Sequence, residues 1–311
     1  GEIIMVDTLL ELQLPIMLFF QSLRSSVGNA LAIAVTYFGD APIAILLLLI
    51  TYWCIDKRKG FALGATLLPA NFMMNILKVI FRVPRPWVKF PDEIDCIYKS
   101  TATGYSFPSG HSTTAGALWG SVSTLTKKKW LKIVTVILIV LVPLSRVYLA
   151  CHWPMDVIVG VGLGLALSLI LAKKMYTLYD NEKLLGKVSV MVATITGGVG
   201  LVSAILLEGG ALEELLWKDL METSIMCSGL FLGAWLEKTR IGFEIPHTIK
   251  GKIIGFILGA VVGIGVWIGI RAIPLFPMIM KCVAYFFLVF WSTFLYPLIA
   301  VKLGIFGKES E

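Results

Sequence analysis

The stretch GYSFPSGHSTTAGALWG, residues 104–120, passes from a polar loop into a run of small and apolar residues, and His111 lies at the transition. Ser109 is a residue type typical of a helix N-cap, and Gly110 allows the backbone to approach a ligand closely. The free N–H groups at the start of a helix also form a ready anion site. The stretch therefore predicts a helix that starts beside Ser109 and is either simply capped or part of an anion site.

The composition indicates that this helix belongs to a membrane protein. Of the 311 residues, 57% are hydrophobic and 15% are charged, and the mean hydropathy is +0.85. Soluble domains carry about 25% charged residues. The formal net charge is +7, but the basic residues lie in short clusters between apolar runs, so no nucleic acid partner is predicted. The start of the chain lacks a basic segment, and no cleaved signal peptide is expected.

The five cysteines do not form the pattern of a disulfide framework. Their number is odd, and all but Cys96 lie in or beside apolar segments. A small secreted scaffold stapled by disulfides is therefore excluded.

Apolar runs of about 20 residues predict an all-α polytopic membrane protein, a helical bundle of about nine spans. The predicted spans cover residues 28–53, 61–82, 112–126, 131–149, 154–172, 188–207, 220–236, 253–273 and 278–301. The first run is interrupted at residues 39–42, where we interpret Asp40 as the cap of a helix that starts at Ala41, with a functional role as the alternative. Residues 1–27 are interpreted as an interfacial N-terminal helix.

The basic residues alternate between successive loops, which predicts the orientation of the chain. One set of loops carries basic clusters such as residues 57–59 and 127–132, whereas the opposite loops are acidic at residues 92–95 and 208–214. The N-terminus is therefore predicted outside and the C-terminus in the cytoplasm. His111 and His152 then lie at the outer face.

Three clusters of polar residues lie at the predicted outer ends of spans. They are KVIFRVPRP (residues 78–86), PSGH (108–111) and SRVYLACHWPMD (145–156). Each has an ordinary explanation by itself. Lysine and arginine near a span end reach the lipid headgroups, a helix start needs a cap, and an acidic residue in a first turn complements the helix dipole. Pro84 and Pro86 are predicted to end one helix, and Pro154 suits the first turn of another.

On one side of the membrane, the three clusters together supply the groups that phosphoryl transfer requires. Lys78, Arg85 and Arg146 are cations that can hold the oxygens of a phosphate. Asp156 lies four residues after His152, so its carboxylate can reach the imidazole and fix the tautomer. One imidazole can attack phosphorus while the second histidine protonates the leaving oxygen.

The three clusters resemble the tripartite signature of the type 2 phosphatidic acid phosphatase superfamily, which includes membrane lipid phosphatases, the glucose-6-phosphatases and the soluble vanadium haloperoxidases. The match is complete and holds the family's internal spacing: Lys78 with Arg85-Pro86, then residues 108–111, then Ser145-Arg146 with His152 and Asp156. The resemblance covers about residues 36–172. The usual membrane form of the family has six spans, so a bundle of about nine departs from it.

The resemblance implies a role for each of these residues. His152 is the nucleophile, Asp156 orients it, and His111 is the general acid. The substrate phosphate is bound by Lys78, Arg85, Ser109, Gly110 and Arg146. The family uses no metal, so neither a metal site nor a cofactor is expected. Residues 28–187 are predicted as the phosphatase core and residues 188–311 as a C-terminal transmembrane extension.

The predicted function is hydrolysis of a lipid phosphate or diphosphate at the outer face of a bacterial cytoplasmic membrane, through a phosphohistidine intermediate. The substrate is expected to be of the undecaprenyl diphosphate or phosphatidic acid type, and a sphingoid-base phosphate or a sugar phosphate is the alternative. A non-hydrolytic lipid transporter is a rival, although transporters place their site near the membrane midplane. A metalloenzyme that uses the two histidines and Asp156 as ligands is a second rival, which the neighbouring cations oppose.

Four glycines recur at every fourth position in one C-terminal span. They are Gly251, Gly255, Gly259 and Gly263. Such a stripe allows helices to approach closely. We expect it to pack within the monomer, and a homodimer contact is the alternative.

Overall fold

The computed structural model describes residues 2–272 and 277–309, and these are almost entirely helical. The chain is an integral membrane protein with an all-α architecture. Its α-helices are α1 (Glu2–Ser22), α2 (Ser26–Thr36), α3 (Ala41–Ile50), α4 (Lys57–Phe81), α5 (Pro86–Lys89), α6 (Gly110–Leu125), α7 (Lys129–Tyr148), α8 (Pro154–Leu178), α9 (Glu182–Glu208), α10 (Glu214–Leu236), α11 (Ile249–Ala272), α12 (Met278–Phe290) and α13 (Tyr296–Lys302). Two short antiparallel strands, β1 (Phe243–Glu244) and β2 (Gly307–Lys308), pair with each other.

The predicted count of about nine spans is not confirmed. Within the described residues, 6 helices are long and apolar enough to cross a membrane, or up to 7 if one bent pair is a single span. Of the other predicted spans, α6 has only 16 residues, and α10 carries Glu214, Lys218, Asp219 and Glu222 in its first turns. Ile273, the predicted end of another span, lies outside the described residues.

The bent pair confirms the interruption predicted in the first span. The segments Ser26–Gly39 and Ala41–Ile55 meet at an angle of 48°. Asp40 lies at the bend, and its Oδ1 accepts a hydrogen bond of 2.8 Å from the backbone N–H of Ala41. The carboxylate therefore caps the start of α3, as the local sequence predicted.

The chain divides into two compact units that are not contiguous in sequence. The first unit comprises Gly1–Ala44 and Met73–Leu169, and the second comprises Ile45–Phe72 and Ile170–Glu311. All predicted site residues belong to the first unit. The predicted division of the chain after Lys187 stays a prediction.

Within the first unit, glycines allow α6 and α8 to pack in backbone contact. A Cβ on Gly160 would lie 2.7 Å from the carbonyl oxygen of Ser109, and one on Gly116 would lie 2.5 Å from that of Val161. Likewise, a Cβ on Gly164 would lie 2.6 Å from the backbone nitrogen of Ala117. Only glycine fits at such distances, so these positions bring the start of α6 against the start of α8.

The second unit has an aromatic core of its own. Its fully or nearly fully buried rings are Tyr52, Trp53, Phe61, Tyr179, Phe231, Phe243, Tyr296 and Phe306. A Cβ on Gly255 would lie 2.6 Å from the ring of Phe306, and one on Gly259 would lie 2.5 Å from that of Tyr296. The glycine stripe thus packs within the monomer at these two positions.

Candidate active site

The predicted site residues lie at helix ends and in the loops of the first unit, where the backbone leaves the regular helices. Lys78 is in the last turn of α4, and Arg85 directly precedes α5. Ser109 and Gly110 begin α6, which carries His111 in its first turn. Arg146 is in the last turn of α7, His152 precedes α8, and Asp156 is in the first turn of α8. Arg85, Arg146, Lys78 and His111 all lie close enough to His152 to influence it electrostatically. The structure therefore brings the three sequence clusters together.

The imidazole of His152 is buried, with 2% of the residue exposed. Its Nε2 lies 3.1 Å from Nη1 of Arg85. A guanidinium group has only donors, so Nε2 is the acceptor and the ring proton is on Nδ1. Nδ1 lies 3.4 Å from Oδ2 of Asp156. The local environment thus selects one tautomer of His152.

Asp156 is held in place by two further donors on the same oxygen. Its Oδ2 accepts a hydrogen bond of 2.9 Å from the backbone N–H of Trp153 and another from the hydroxyl of Ser106. The Ser106 oxygen is also 3.4 Å from Nδ1 of His152. The carboxylate and the hydroxyl therefore orient the imidazole together.

Arg85 is buried and lies outside any helix, because α4 ends at Phe81, before Pro84. Its Nε donates to the carbonyl of Gly104 at 2.9 Å and its Nη2 to that of Thr103 at 2.6 Å. Its Nη1 donates to the carbonyl of Cys151 at 2.8 Å. These three carbonyls aim the guanidinium at His152.

The start of α6 is capped as the sequence predicted. Ser109 Oγ accepts from the N–H of Ser112 at 3.4 Å, and the N–H of Ser109 donates to the carbonyl of Asp156 at 3.0 Å. The second bond ties the helix start that carries His111 to the helix start that follows His152. This bond therefore helps to fix the position of His111 relative to His152.

Arg146 is fully buried, yet only part of its guanidinium is paired. Its Nη1 donates to Thr36 Oγ1 at 3.0 Å and to Thr101 Oγ1 at 3.3 Å. Within the described residues, Nε and Nη2 of Arg146 and Nε2 of His111 are buried without a hydrogen-bond partner. A buried polar group without a partner is costly. The unpaired guanidinium donors of Arg146, beside other cations, therefore point to an oxyanion ligand.

Burial lowers the pKa of His152 well below its usual range, and the positive charges of Arg85, Arg146 and Lys78 lower it further. The imidazole is therefore neutral near pH 7. Nε2 therefore carries no proton, which is the form that can act as a nucleophile.

Possible metal-ligating side chains were compared across the part of the chain that the structure describes. Across residues 2–272 and 277–309, no group of three or more His, Cys, Asp or Glu side chains could hold a metal ion. The third histidine of the chain, His247, belongs to the second unit, where its Nε2 lies 3.5 Å from Glu244.

Sequence reasoning missed the residues that support the predicted ones. Ser106 supports Asp156, Thr36 and Thr101 support Arg146, and the carbonyls of residues 103–104 support Arg85. Threonine and serine are common in loops, and no spacing rule connects them to partners far along the chain. Only Ser106 could have been suspected from the sequence, because it lies within residues 104–120, the stretch that contains His111.

Comparison with known proteins finds two family models on this chain. The PAP2 superfamily model matches residues 59–180. The model for the transmembrane extension of PAP2 superfamily phosphatases matches residues 223–309.

The proteins that are similar to the chain include the following two curated relatives and one solved structure. Undecaprenyl-diphosphatase of Sulfolobus acidocaldarius is 31% identical over 147 residues, covering 46% of this chain and 68% of the relative. Phosphatidylglycerophosphatase B of Bacillus subtilis is 34% identical over 101 residues, covering 29% of this chain and 48% of the relative. The crystal structure of Aquifex aeolicus LpxE has 23% sequence identity and a TM-score of 0.43, covering 52% of this chain and 95% of that one.

Proposed function

Because the chain belongs to the PAP2 superfamily, we propose that it is a membrane phosphatase that hydrolyses a lipid phosphate or diphosphate through a phosphohistidine intermediate. The main observation behind this proposal is that side-chain nitrogens of Arg146 and His111 are buried without a hydrogen-bond partner among the described residues. They lie beside a neutral histidine whose Nε2 is an acceptor. A phosphoryl group would satisfy the nitrogens and receive the attack of Nε2.

In the first half of the reaction, Nε2 of His152 forms a bond to phosphorus as the bond from phosphorus to the leaving oxygen breaks. Burial, with the charges of Arg146, Lys78 and Arg85, lowers the pKa of His111 in the free site. His111 therefore takes up its proton together with the anionic phosphate, and it passes that proton to the leaving oxygen. Positive charge grows on the His152 ring, and Asp156 stabilises it from the Nδ1 side. Arg85, Arg146 and Lys78, with the N–H groups at the start of α6, hold the remaining phosphate oxygens.

In the second half, water attacks phosphorus and the bond to His152 breaks. His111, now neutral, takes the proton from the attacking water. Inorganic phosphate leaves and both histidines return to their starting states. None of these steps draws on a metal ion, so the proposed reaction is metal-independent.

The substrate proposal rests on the chemistry of the site and on the relatives. The site residues recognise a phosphate group and nothing beyond it. The names of two curated relatives specify lipid substrates, one a diphosphate and one a phosphate. We therefore propose a substrate of the undecaprenyl diphosphate or phosphatidic acid type, with a sphingoid-base or sugar phosphate as the alternative. The alternation of basic loops supports a site at the outer face of a bacterial cytoplasmic membrane.

The proposal is tested by phosphate release from the purified protein in detergent. The substrates are undecaprenyl diphosphate, phosphatidic acid, sphingosine phosphate and glucose 6-phosphate, each measured with and without excess chelator. We expect release from the first two, unchanged by chelator, and acid-labile phosphate trapped on His152. Activity lost with chelator and restored by zinc or manganese would falsify the metal-independent mechanism. Binding of all four without phosphate release would favour the transporter.

The role of His111 is tested by varying the leaving group. General acid catalysis contributes roughly 10²–10⁴-fold, so His111→Ala is expected to lose about that much on a lipid phosphate. An aryl phosphate has a better leaving group and should suffer a much smaller loss. Equal losses on both substrates would show that His111 is not the acid. His152→Ala, in contrast, should abolish turnover of both.

A further inference from the structure

Two cysteines, which the sequence did not connect, lie in contact beside the proposed site. Sγ of Cys96 is 3.6 Å from Sγ of Cys151. Both are buried, with 5% and 0% of the residue exposed, and both are free thiols. They belong to the first unit, whereas Cys54, Cys227 and Cys282 belong to the second.

The two segments that carry this pair are already held together by a backbone hydrogen bond and by the side chain of Arg24. The N–H of Ile97 donates to the carbonyl of Leu149 at 3.3 Å. Arg24 joins the same segments, because Nη1 donates to the carbonyl of Asp95 at 2.7 Å and Nε to that of Tyr148 at 3.1 Å. A disulfide has an S–S bond of about 2.05 Å. The sulfur atoms therefore need to approach by only about 1.5 Å, within segments that are already adjacent.

The turn at Cys151 also helps to position the residues of the proposed site. Cys151 directly precedes His152 in the chain. Its carbonyl accepts from Nη1 of Arg85 at 2.8 Å, and its N–H donates to the carbonyl of Arg146 at 2.9 Å. A covalent bond at Cys151 would thus fix the turn that positions the nucleophile.

We infer that Cys96 and Cys151 are a disulfide-forming pair, oxidised by a disulfide oxidant, whose bond clamps the loop at residues 95–98 to the turn that carries His152. The inference goes beyond the proposed function. It rests on the contact between the sulfur atoms and on the hydrogen bonds of Ile97 and Arg24 that join the two segments, whatever reaction the site catalyses.

The oxidation follows ordinary thiol–disulfide exchange. Cys151 is the better attacking group, because its contact with the Cys96 thiol and the nearby charges of Arg146 and Arg85 lower the pKa of its thiol. Its thiolate attacks one sulfur of the oxidant disulfide and releases one thiolate. Cys96 then loses its proton, attacks the Cys151 sulfur of the mixed disulfide and releases the second thiolate. The protein loses two electrons and two protons, and the oxidant is reduced to two thiols.

The bond is expected to stabilise the folded protein. The two cysteines are 55 residues apart in sequence, so the crosslink restricts a long loop of the unfolded chain. The two segments are already adjacent in the native structure, so the disulfide should introduce little strain that would offset this stabilisation. Oxidation is therefore expected to raise the unfolding temperature by roughly 5–15 °C.

The test compares one preparation of the full chain in detergent, reduced with dithiothreitol or oxidised with excess glutathione disulfide during a warm incubation that opens the buried pair. Remaining thiols are alkylated after denaturation, and the peptides are mapped by mass spectrometry. We expect a Cys96–Cys151 crosslinked peptide in the oxidised sample, with Cys54, Cys227 and Cys282 alkylated. The oxidised sample should also unfold at a higher temperature than the reduced one.

Two serine variants separate the pair from a general effect of oxidant. Cys96→Ser should abolish the difference in unfolding temperature between the two samples. Cys227→Ser, the matched control at a buried cysteine of the second unit, should retain it. If Cys96→Ser does not fold, the peptide map of the oxidised wild type still tests whether the disulfide forms. The inference is overturned if both thiols stay alkylatable in the oxidised wild type, or if the crosslink forms without raising the unfolding temperature.

Discussion

At the scale of the residue, His152 has a different partner on each ring nitrogen. Nε2 faces Arg85 at 3.1 Å, and Nδ1 faces Asp156 at 3.4 Å. The first contact keeps the lone pair on the nitrogen that would attack phosphorus, and the second stabilises the charge that develops afterwards. Substitutions of the groups behind Nδ1 should therefore affect the chemical step more than substrate binding.

Ser106→Ala tests this expectation at a positioning residue. The hydroxyl donates to the carboxylate that orients His152, and a hydrogen bond to a charged group contributes about 1.5–3 kcal/mol. We expect kcat to fall roughly 10- to 100-fold, with KM little changed. Ser106→Thr, which keeps the hydroxyl, should recover part of the loss.

The matched control for Ser106 is Ser121→Ala. Ser121 is also fully buried, but its hydroxyl has no hydrogen-bond partner among the described residues. Its replacement should leave kcat and KM unchanged. A comparable fall in both variants, or a rise in KM as the main effect of Ser106→Ala, would assign Ser106 a purely structural role.

Thr36→Val tests the support of Arg146. Thr36 Oγ1 accepts from Nη1 of Arg146 at 3.0 Å, and a hydrogen bond to a charged group contributes about 1.5–3 kcal/mol. Vanadate resembles a five-coordinate phosphoryl group, so its inhibition reports on binding of the transition state. We expect vanadate to inhibit roughly 10- to 100-fold more weakly. Thr135→Val, at a buried threonine that bonds only the carbonyl of Lys132 among the described residues, should leave inhibition unchanged, and equal effects would contradict the proposed support.

At the scale of the element, the contact between α6 and α8 decides where the two histidines lie. Gly160 and Gly164 of α8 meet the backbone of α6 at distances that exclude a Cβ. The helix start that carries His111 therefore rests directly on the helix that follows His152. The glycines are a structural requirement of the site although they contact no substrate.

Gly164→Ala and Gly162→Ala form a pair that tests this packing. A Cβ at Gly164 would clash with backbone atoms of α6, whereas one at Gly162 would meet nothing within 4 Å. We expect Gly164→Ala to lower both the unfolding temperature and the activity, since overpacking costs about 1–3 kcal/mol. Gly162→Ala should be neutral or stabilising, because alanine is the better helix former by up to about 1 kcal/mol. Indistinguishable variants would show that the helix contact is looser than described.

At the scale of the whole molecule, the positive-inside pattern makes a prediction about accessibility. Lys99 lies in the loop beside the proposed site and is exposed, and His247 lies in a loop predicted to be cytoplasmic and is also exposed. In intact cells, an impermeant maleimide should label Lys99→Cys but label His247→Cys only after lysis. The wild type measures the background from its own cysteines. The reverse pattern would place the site on the cytoplasmic side.

Several features of this protein follow from the sequence alone, because each depends on neighbouring residues. The apolar runs identify a membrane protein, since their length must match the bilayer. Ser109 caps α6, Pro154 begins α8 and Asp40 caps α3, since capping and proline chemistry act within a single turn. The spacing of His152 and Asp156 places their side chains within reach of each other for the same reason.

Other features were decided only by the tertiary structure, because they join residues that no period or spacing connects. Ser106 and Asp156 are 50 residues apart, Thr36 and Arg146 are 110 apart, and the cysteine pair spans 55. Hydropathy also did not settle the number of spans, because α6 is short and α10 is charged at its start while both are largely buried within the protein. Sequence identifies which groups can perform the chemistry, whereas helix packing determines which residues hold them in place.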